Sequence, residues 1–353
     1  MIRFSIFSVL DAYEDNPRML PALYEQHIDQ IAHAEHLGFD AYWLGEHHFY
    51  LPSGQSLVCP NPAIVLAAAS QRTQRIGLNT AVANLSLRHP LQVAEDYAMV
   101  DMLSQGRLGF GIGRGTFAHE YAAFGQNRDE SNGRFEESWE IIQRAWRGEN
   151  VSFQGRYYHI DGAKINVAPV QKPFPRYWFS VVKAESFAAR GKAAQPIMNL
   201  PHLSADSLQT LAKLAEDYRR HYVEAGGDMG QYEIPLIFYT CVAPTRLEAQ
   251  QVGVGALQRY LIHQHHHAGD HVHQFIQLLE ARNQLWFGTP HDLIQLIERY
   301  QSAVSNGHFV FWLDFGGMKP EFVRRSTQLL AQEVLPQFRS KAGNPSINHL
   351  DAP

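Results

Sequence analysis

The stretch Phe39-Asp40-Ala41-Tyr42-Trp43-Leu44-Gly45-Glu46-His47-His48-Phe49 decides how the rest of the chain is read. An apolar run, Phe39 to Leu44, stops at an acid and two adjacent histidines and then gives way to an aromatic. A strand that delivers titratable side chains at its C-terminal end is how an α/β barrel builds its catalytic mouth. The expectation is therefore that His47 and His48 stand at such a mouth.

Working outward, the same rhythm repeats. Met1 to Leu10 forms a first strand, and Pro17 to Leu37 a helix with Leu20, Leu23, Tyr24, Ile28, Ile31 and Ala34 at helical spacing. Gly38 supplies a left-handed stop. Asn61-Pro62 opens a helix through Ala69, Arg75 to Val82 is a third strand, and His89-Pro90 opens the next helix. Arg107 to Ile112 is a fourth strand. A helix follows over Ser131 to Arg147, with Ser131 as its N-cap, and Val151 to Val167 forms a hairpin. Strands at Tyr177–Val182, Pro196–Leu200, Ile234–Val242 and His308–Leu313 alternate with helices from Glu185, over Ala205–Ala225, after Pro244 and from Gly288-Thr289-Pro290. The last helix, Glu321 to Leu335, stops before Pro336. Eight strands alternating with helices predict a (β/α)8 TIM barrel with a small hairpin insertion, a single domain over 1–338 and a polar tail over 339–353.

Composition narrows the function. Of 353 residues 45% are hydrophobic and 18% charged, enough for a large core, and the net charge of −5 argues against a nucleic-acid partner. Cys59 and Cys241 make neither a disulfide framework nor a zinc motif, which points to a reducing, cytoplasmic setting. The N-terminus lacks a signal-peptide cleavage pattern, and no apolar run is long enough to span a bilayer.

Several residue groups have chemical potential. The glycines of Gly109-Phe110-Gly111-Ile112-Gly113-Arg114-Gly115 alternate, unlike a dinucleotide fingerprint, and signal close approach to a strand backbone. Two readings stand for Arg114: a bidentate phosphate ligand, or a surface cation paired with Glu120 or Asp129. Glu185-Ser186 at a helix start is either an ordinary cap or an anion site. The barrel sets strands four and five side by side, so Arg114 and Ser186 can share one phosphate, with Arg134 reaching in from the intervening helix. His47 and His48 suit acid–base work near neutral pH, and no further metal ligands are spaced around them. His263, His265, His266, His267, His271 and His273 suggest a solvated, mobile flap near the mouth.

Taken in order, Gly38-Phe39-Asp40, Trp43-Leu44, Glu46-His47-His48-Phe49, His89-Pro90, Ala94-Glu95-Asp96, Gly106-Arg107, Phe110-Gly111-Ile112, Arg114-Gly115, Ala184-Glu185-Ser186 and Gly288-Thr289-Pro290 resemble the bacterial luciferase-like flavin monooxygenases, closer to the luciferase alpha subunit than to the deazaflavin branch. The resemblance implies reduced FMN at the mouth, delivered by a separate reductase, and transfer of one oxygen atom from O2 to an aldehyde or other small organic substrate through a flavin C4a-hydroperoxide. It implies Arg114 and Arg134 on the phosphate with Glu185 and Ser186, and Glu46 and Gly113 at the cofactor. By the same resemblance Thr80, Ala81, Val82 and Ala83 would lie under the ring, with a cis peptide at Ala81–Val82, and His47 would match the essential histidine, with His48 beside it. It also implies a homodimer through the helices Pro62–Ala69 and Val93–Leu103. Two positions depart from the luciferase alpha pattern: Gly113 replaces a reactive cysteine, and the flap segment is shorter and histidine-rich. A deazaflavin oxidoreductase, a non-catalytic flavin binder and a metal-dependent barrel enzyme are the competing readings.

Overall fold

The computed structural model describes residues 2–13, 20–49, 55–265, 269–305 and 307–339. Eight parallel strands close into a ring: β1 (Arg3–Ser8), β2 (Ala41–Leu44), β3 (Gly77–Thr80), β4 (Leu108–Gly113), β5 (Arg176–Val181), β6 (Ile197–Asn199), β7 (Leu236–Val242) and β8 (His308–Asp314). Closure is made where β8 returns to β1, in register from Arg3↔His308 to Phe7↔Trp312. These are the strands expected from the alternation of the sequence, and the fold is a (β/α)8 barrel.

The surrounding helices are α1 (Leu20–His36), α2 (Pro62–Ser70), α3 (Pro90–Leu103), α4 (Ser131–Trp146), α5 (Ala184–Lys192), α6 (Leu208–Glu224), α7 (Arg246–His265), α8 (Gly269–Ala281), α9 (Pro290–Val304) and α10 (Pro320–Leu329). Local chemistry sets their ends. Asn61 Oδ1 takes the Ala63 N–H at 3.1 Å ahead of α2, and Thr289 and Asp292 form a reciprocal capping box on α9. Gly38 ends α1 at φ +87°.

Inside the ring, Trp43 meets Trp178 at 5.0 Å and Phe7 meets Trp312 at 4.7 Å. Such pairs each add about 1 kcal/mol beyond the area they bury. The end of the barrel opposite the mouth is closed by a polar plug. Glu233 pairs with Arg3, with Arg176 at 3.0 Å and with His308 Nδ1 at 3.1 Å, while His308 Nε2 lies 2.8 Å from Ser5 Oγ.

Several sequence expectations need correction. The histidine-rich segment is not a loop flap where it is described: His263 and His265 end α7, and His271 and His273 lie in α8. Buried Leu257, Tyr260 and Leu261, then Val272, Ile276 and Leu279, carry a helical stripe through it, and the histidines fall between these residues. His266 and His267 lie outside the described residues. Ser131 does not cap α4, because a 3-10 turn, Arg128–Glu130, precedes it and Asn127 Oδ1 takes the Asp129 N–H instead. The helix expected from Ala205 begins at Leu208 instead: Ala205 is extended after a separate single turn, Pro201–Ser204, and Ser207 caps α6.

The last helix does not stop before Pro336. A π turn, Leu330–Val334, widens the backbone and leads into a final turn, Leu335–Arg339. A proline lacks one N–H and crowds the carbonyl four residues back, and a wider turn accommodates both. Arg339, expected to begin a loose tail, donates to the Gly38 carbonyl at 2.6 Å and to Asp40 at 3.1 Å; residues 340–353 lie outside the described residues. The hairpin is present, pairing Val151–Gln154 with His159–Ala163. A three-residue strand, Trp286–Gly288, was not foreseen; it pairs with β7.

Candidate active site

β2 ends at Leu44, and the chain then crosses the mouth. Gly45 N–H bonds to Ser8 O at 3.1 Å and His47 N–H to Cys59 O at 3.1 Å, so the turn is tied to both sides. Glu46 is buried, accepting the Asn84 N–H at 3.1 Å through Oε2, with Oε1 3.1 Å from His48 Nε2. His48 is buried too, its ring edge-on to Phe124 at 4.9 Å. His47 differs: its side chain keeps 19% of its surface exposed and its ring packs beside Phe117 at 5.2 Å.

Behind the two histidines stands a residue the sequence reading weighed only as a partner of Arg114. Glu120 has no exposed surface; its Oε1 accepts the His48 N–H at 2.7 Å and lies 3.5 Å from His47 Nδ1. Burial pushes its carboxyl up, but the adjoining His47 ring and the His48 N–H outweigh that and hold it below the usual glutamate value. The carboxylate is ionised at neutral pH.

Next to this pair lies the segment after β3. The Ala81–Val82 peptide is cis, as the resemblance implied. Thr80 Oγ1 donates to the Gly111 carbonyl at 2.7 Å, and Ala83–Asn84 pair with Ile112–Gly113 of β4. The alternating glycines find their explanation here. A Cβ on Gly111 would sit 2.0 Å from the Thr80 carbonyl oxygen, and one on Gly113 2.5 Å from a Val82 methyl. What approaches the backbone so closely is the chain's own β3 segment, leaving Ala81 and Val82 half-buried and Ala83 buried.

At the far end of β4, Arg114 is exposed, its carbonyl held by the Tyr121 hydroxyl. A cavity of about 300 Å³ opens there, lined by Arg114, Gly115, Arg128, Asp129 and Ser131. Arg128 had not been singled out in the sequence. Arg134 is elsewhere engaged: Nη2 bonds to Glu130 Oε2 at 3.0 Å and the guanidinium lies 4.9 Å over the Tyr157 ring. β4 and β5 pair from Arg176↔Gly109 to Phe179↔Ile112, so the chain after Ile112 and that after Phe179 emerge side by side. Glu185 and Ser186 occupy the first turn of α5, whose N-cap Lys183 makes no side-chain capping bond.

The donor set suits a flavin mononucleotide. Two arginines flank the Arg114 cavity and match a phosphate dianion, and the glycines of β4 let the Thr80–Val82 segment close into a floor. Among the described residues, no group of three or more His, Cys, Asp or Glu is placed to hold a metal ion, and no helix is long and apolar enough to cross a membrane.

Comparison with known proteins places the fold in a family. The model of the luciferase-like monooxygenase family matches residues 3–305. Limonene 1,2-monooxygenase of Rhodococcus erythropolis is 30% identical over 90% of this chain and 82% of its own. The oxygenase component of the flavin-dependent trigonelline monooxygenase of Acinetobacter baylyi is 25% identical over 96% of both chains. An F420-dependent glucose-6-phosphate dehydrogenase of Amycolatopsis mediterranei is 32% identical over 42% of this chain and 46% of its own. Among solved structures, the monooxygenase RslO1 of Streptomyces bottropensis superposes with a TM-score of 0.84 at 26% identity, covering 96% of this chain and all (100%) of that one. With its closed barrel, its mouth histidines and a family match that runs from β1 through α9, the chain belongs to the luciferase-like monooxygenase family of enzymes.

Proposed function

We propose that this chain is the oxygenase component of a two-component system, which accepts reduced FMN from a separate reductase in the cytoplasm and transfers one oxygen atom of O2 to a small, apolar organic substrate. The observation that carries this reading is the partly exposed His47 backed by the buried carboxylate of Glu120, on the same mouth as the cavity lined by Arg114 and Arg128. Reduced FMN, when bound, supplies the electrons that let one oxygen atom go to the substrate and the other leave as water. Arg114 and Arg128 hold its phosphate, Ser186 and the first N–H groups of α5 complete that end, and Thr80 to Ala83 support the ring. Arg134 takes part only if it leaves Glu130.

The chain's own work at the reacting end is proton handling and water exclusion. The Glu120 carboxylate, 3.5 Å from His47 Nδ1, favours the tautomer protonated on that nitrogen, which leaves Nε2 to accept or return a proton at the substrate. Glu46 and Phe124 hold His48, so it orients the turn that carries His47. Phe7, Phe49, Phe117 and Trp312 keep the mouth apolar, which disfavours loss of oxygen to bulk water as peroxide.

The test supplies photoreduced FMN, labelled O2 and a panel of aldehydes and cyclic ketones, and reads label in the product. The reading predicts one labelled oxygen per turnover, and His47→Ala keeping FMN affinity while losing product. Coupled turnover unchanged in His47→Ala removes His47 from the mechanism. A second reading, hydride transfer with a deazaflavin, draws support from the F420-dependent relative. Tight binding of reduced F420 with no label incorporated would favour it.

A further inference from the structure

Three segments of the mouth meet at one side chain. Asn84 follows the Thr80–Ala83 segment and pairs with Gly113 at the end of β4. It is buried, and it donates twice to the turn after β2. Its backbone N–H reaches Glu46 Oε2 at 3.1 Å, and its side-chain Nδ2 reaches the Glu46 carbonyl at 3.0 Å. Gly115 lies against the same amide: at φ +86°, an added Cβ there would come within 3.5 Å of Asn84 Cγ.

The side-chain bond falls on the peptide that carries His47. The carbonyl of the Glu46–His47 peptide accepts from Asn84 Nδ2, and its N–H donates to the Cys59 carbonyl at 3.1 Å. A peptide unit is planar, so holding both of its polar ends fixes the plane from which the His47 side chain departs. The next N–H, that of His48, is taken by Glu120 at 2.7 Å. Of these three holds, only the one from Asn84 comes from the chain that continues the Thr80–Ala83 segment. The Glu46 carbonyl is an acceptor in a buried site and calls for a donor without charge, which an amide supplies.

We propose that Asn84 is a positioning residue for His47: by holding the Glu46 carbonyl, its amide sets where the imidazole stands relative to the Thr80–Ala83 segment and to Glu120. Misplacing a reacting group by about 1 Å is enough to cost about 100-fold in rate. One donor on one carbonyl therefore has leverage on the chemistry although it touches neither substrate nor cofactor. The assignment deepens the oxygenase reading and rests on it for the effect on rate, but the state of the His47 ring is tested without flavin.

The experiment labels the histidine rings of the full chain with nitrogen-15 and records their NMR signals without flavin, identifying those of His47 by their absence from His47→Gln. The native ring is expected to carry its proton on Nδ1, towards Glu120. Asn84→Asp keeps the shape but turns the donor into an acceptor, and Asn84→Leu removes it. Both should shift the His47 ring away from the Nδ1–H form. In the labelled-oxygen assay both should lower kcat about 10- to 100-fold, with FMN affinity kept within about threefold. Asn84→Ser, shorter but still a donor, should recover part of each effect. His47 signals and kcat that stay native in Asn84→Asp and Asn84→Leu overturn the proposal, as does a loss of kcat matched by an equal loss of FMN affinity. A lowered melting temperature with native His47 signals makes Asn84 a structural residue only, and overturns it too. His47 signals that follow Asn84, in a chain whose native form transfers no labelled oxygen, would instead count against the oxygenase reading alone.

Discussion

Glu120 Oε1 stands 3.5 Å from Nδ1 of His47, and the carboxylate has no solvent on it. An ionised acid in that position has two tasks, orienting the imidazole and accepting the His48 N–H, and they separate by substitution. Glu120→Gln keeps an oxygen for His48 and loses the charge, so product formation should fall about 10- to 100-fold while FMN affinity stays within about twofold. Glu120→Ala also leaves the His48 N–H unsatisfied in a dry site, and should cost roughly 1–3 kcal/mol of stability as well. Steady-state product analysis, FMN titration and thermal denaturation together check both. If Glu120→Gln turns over like the native chain, the dyad is scaffolding.

The glycines of β4 differ in what opposes them. A methyl on Gly111 would meet the Thr80 backbone carbonyl, which cannot step aside without breaking the strand, whereas one on Gly113 meets a Val82 methyl that can rotate. Gly111→Ala should therefore lower the melting temperature more than Gly113→Ala. Gly113→Ala should show its main effect as weakened FMN binding, because Val82 moves. Melting curves and a flavin titration on the two variants decide the order.

The barrel was legible because each of its strands is a short apolar run bounded by a helix with its own start signal, and closure follows from having eight of them. Trp286–Gly288 escaped because three residues give no periodicity, and the turn at Pro336 because a π bulge has no local signature. The surroundings of the site were partly legible: the position of His47 after β2 and the adjacency of β4 and β5 follow from the alternation of strands and helices, whereas the cis peptide at Ala81–Val82 was implied only by the family resemblance. Glu120 was not legible, since its inward turn depends on the short helix Ala118–Ala123 packing under the mouth. The turn Pro201–Ser204 was invisible for a similar reason: nothing in its sequence announces that Gln284, 83 residues from Pro201, will bond to the Pro201 carbonyl.

Acid should open the barrel from its closed end. Contacts with His308, Arg3 and Arg176 overcome the burial of Glu233 and bring its carboxyl from 4.5 to about 2. A carboxyl with a depressed value stabilises the fold above its unfolded value, and that contribution disappears as pH falls through the folded one. The window is thus about pH 4.5 down to about 2, and the contribution is on the order of 3 kcal/mol. Glu233→Gln should be less stable than the native chain at pH 7, and the difference should shrink towards pH 2. Chemical denaturation across that range is the measurement, and a constant difference would assign the loss to packing.

The proposed homodimer has a definite face. Ile64 on α2 is 68% exposed and Met99 on α3 is 50%, with Met102 and Leu103 exposed beside them on adjoining helices. Apolar side chains gathered this way mark a contact surface more often than a solvated one. Ile64→Glu with Met99→Glu should convert a dimer into a monomer in light scattering, with FMN affinity retained. A native chain that scatters as a monomer removes the dimer.

The phosphate end provides a graded comparison, because its three arginines are placed differently. Arg114 and Arg128 line the cavity, whereas Arg134 is held by Glu130 and Tyr157. A charge-assisted bond to phosphate contributes about 1.5–3 kcal/mol, so Arg114→Gln should weaken FMN roughly 10- to 100-fold. Arg128→Gln should behave alike, and neither change should alter riboflavin binding, which involves no phosphate. Arg134→Gln should have the smallest effect, because the guanidinium must first be drawn away from Glu130. Should Arg134→Gln cost as much as Arg114→Gln, the bound state must reorganise the start of α4, and the resemblance-based ligand set would describe that state better than the geometry seen here. Equal losses for FMN and riboflavin in Arg114→Gln would move the phosphate away from β4 altogether.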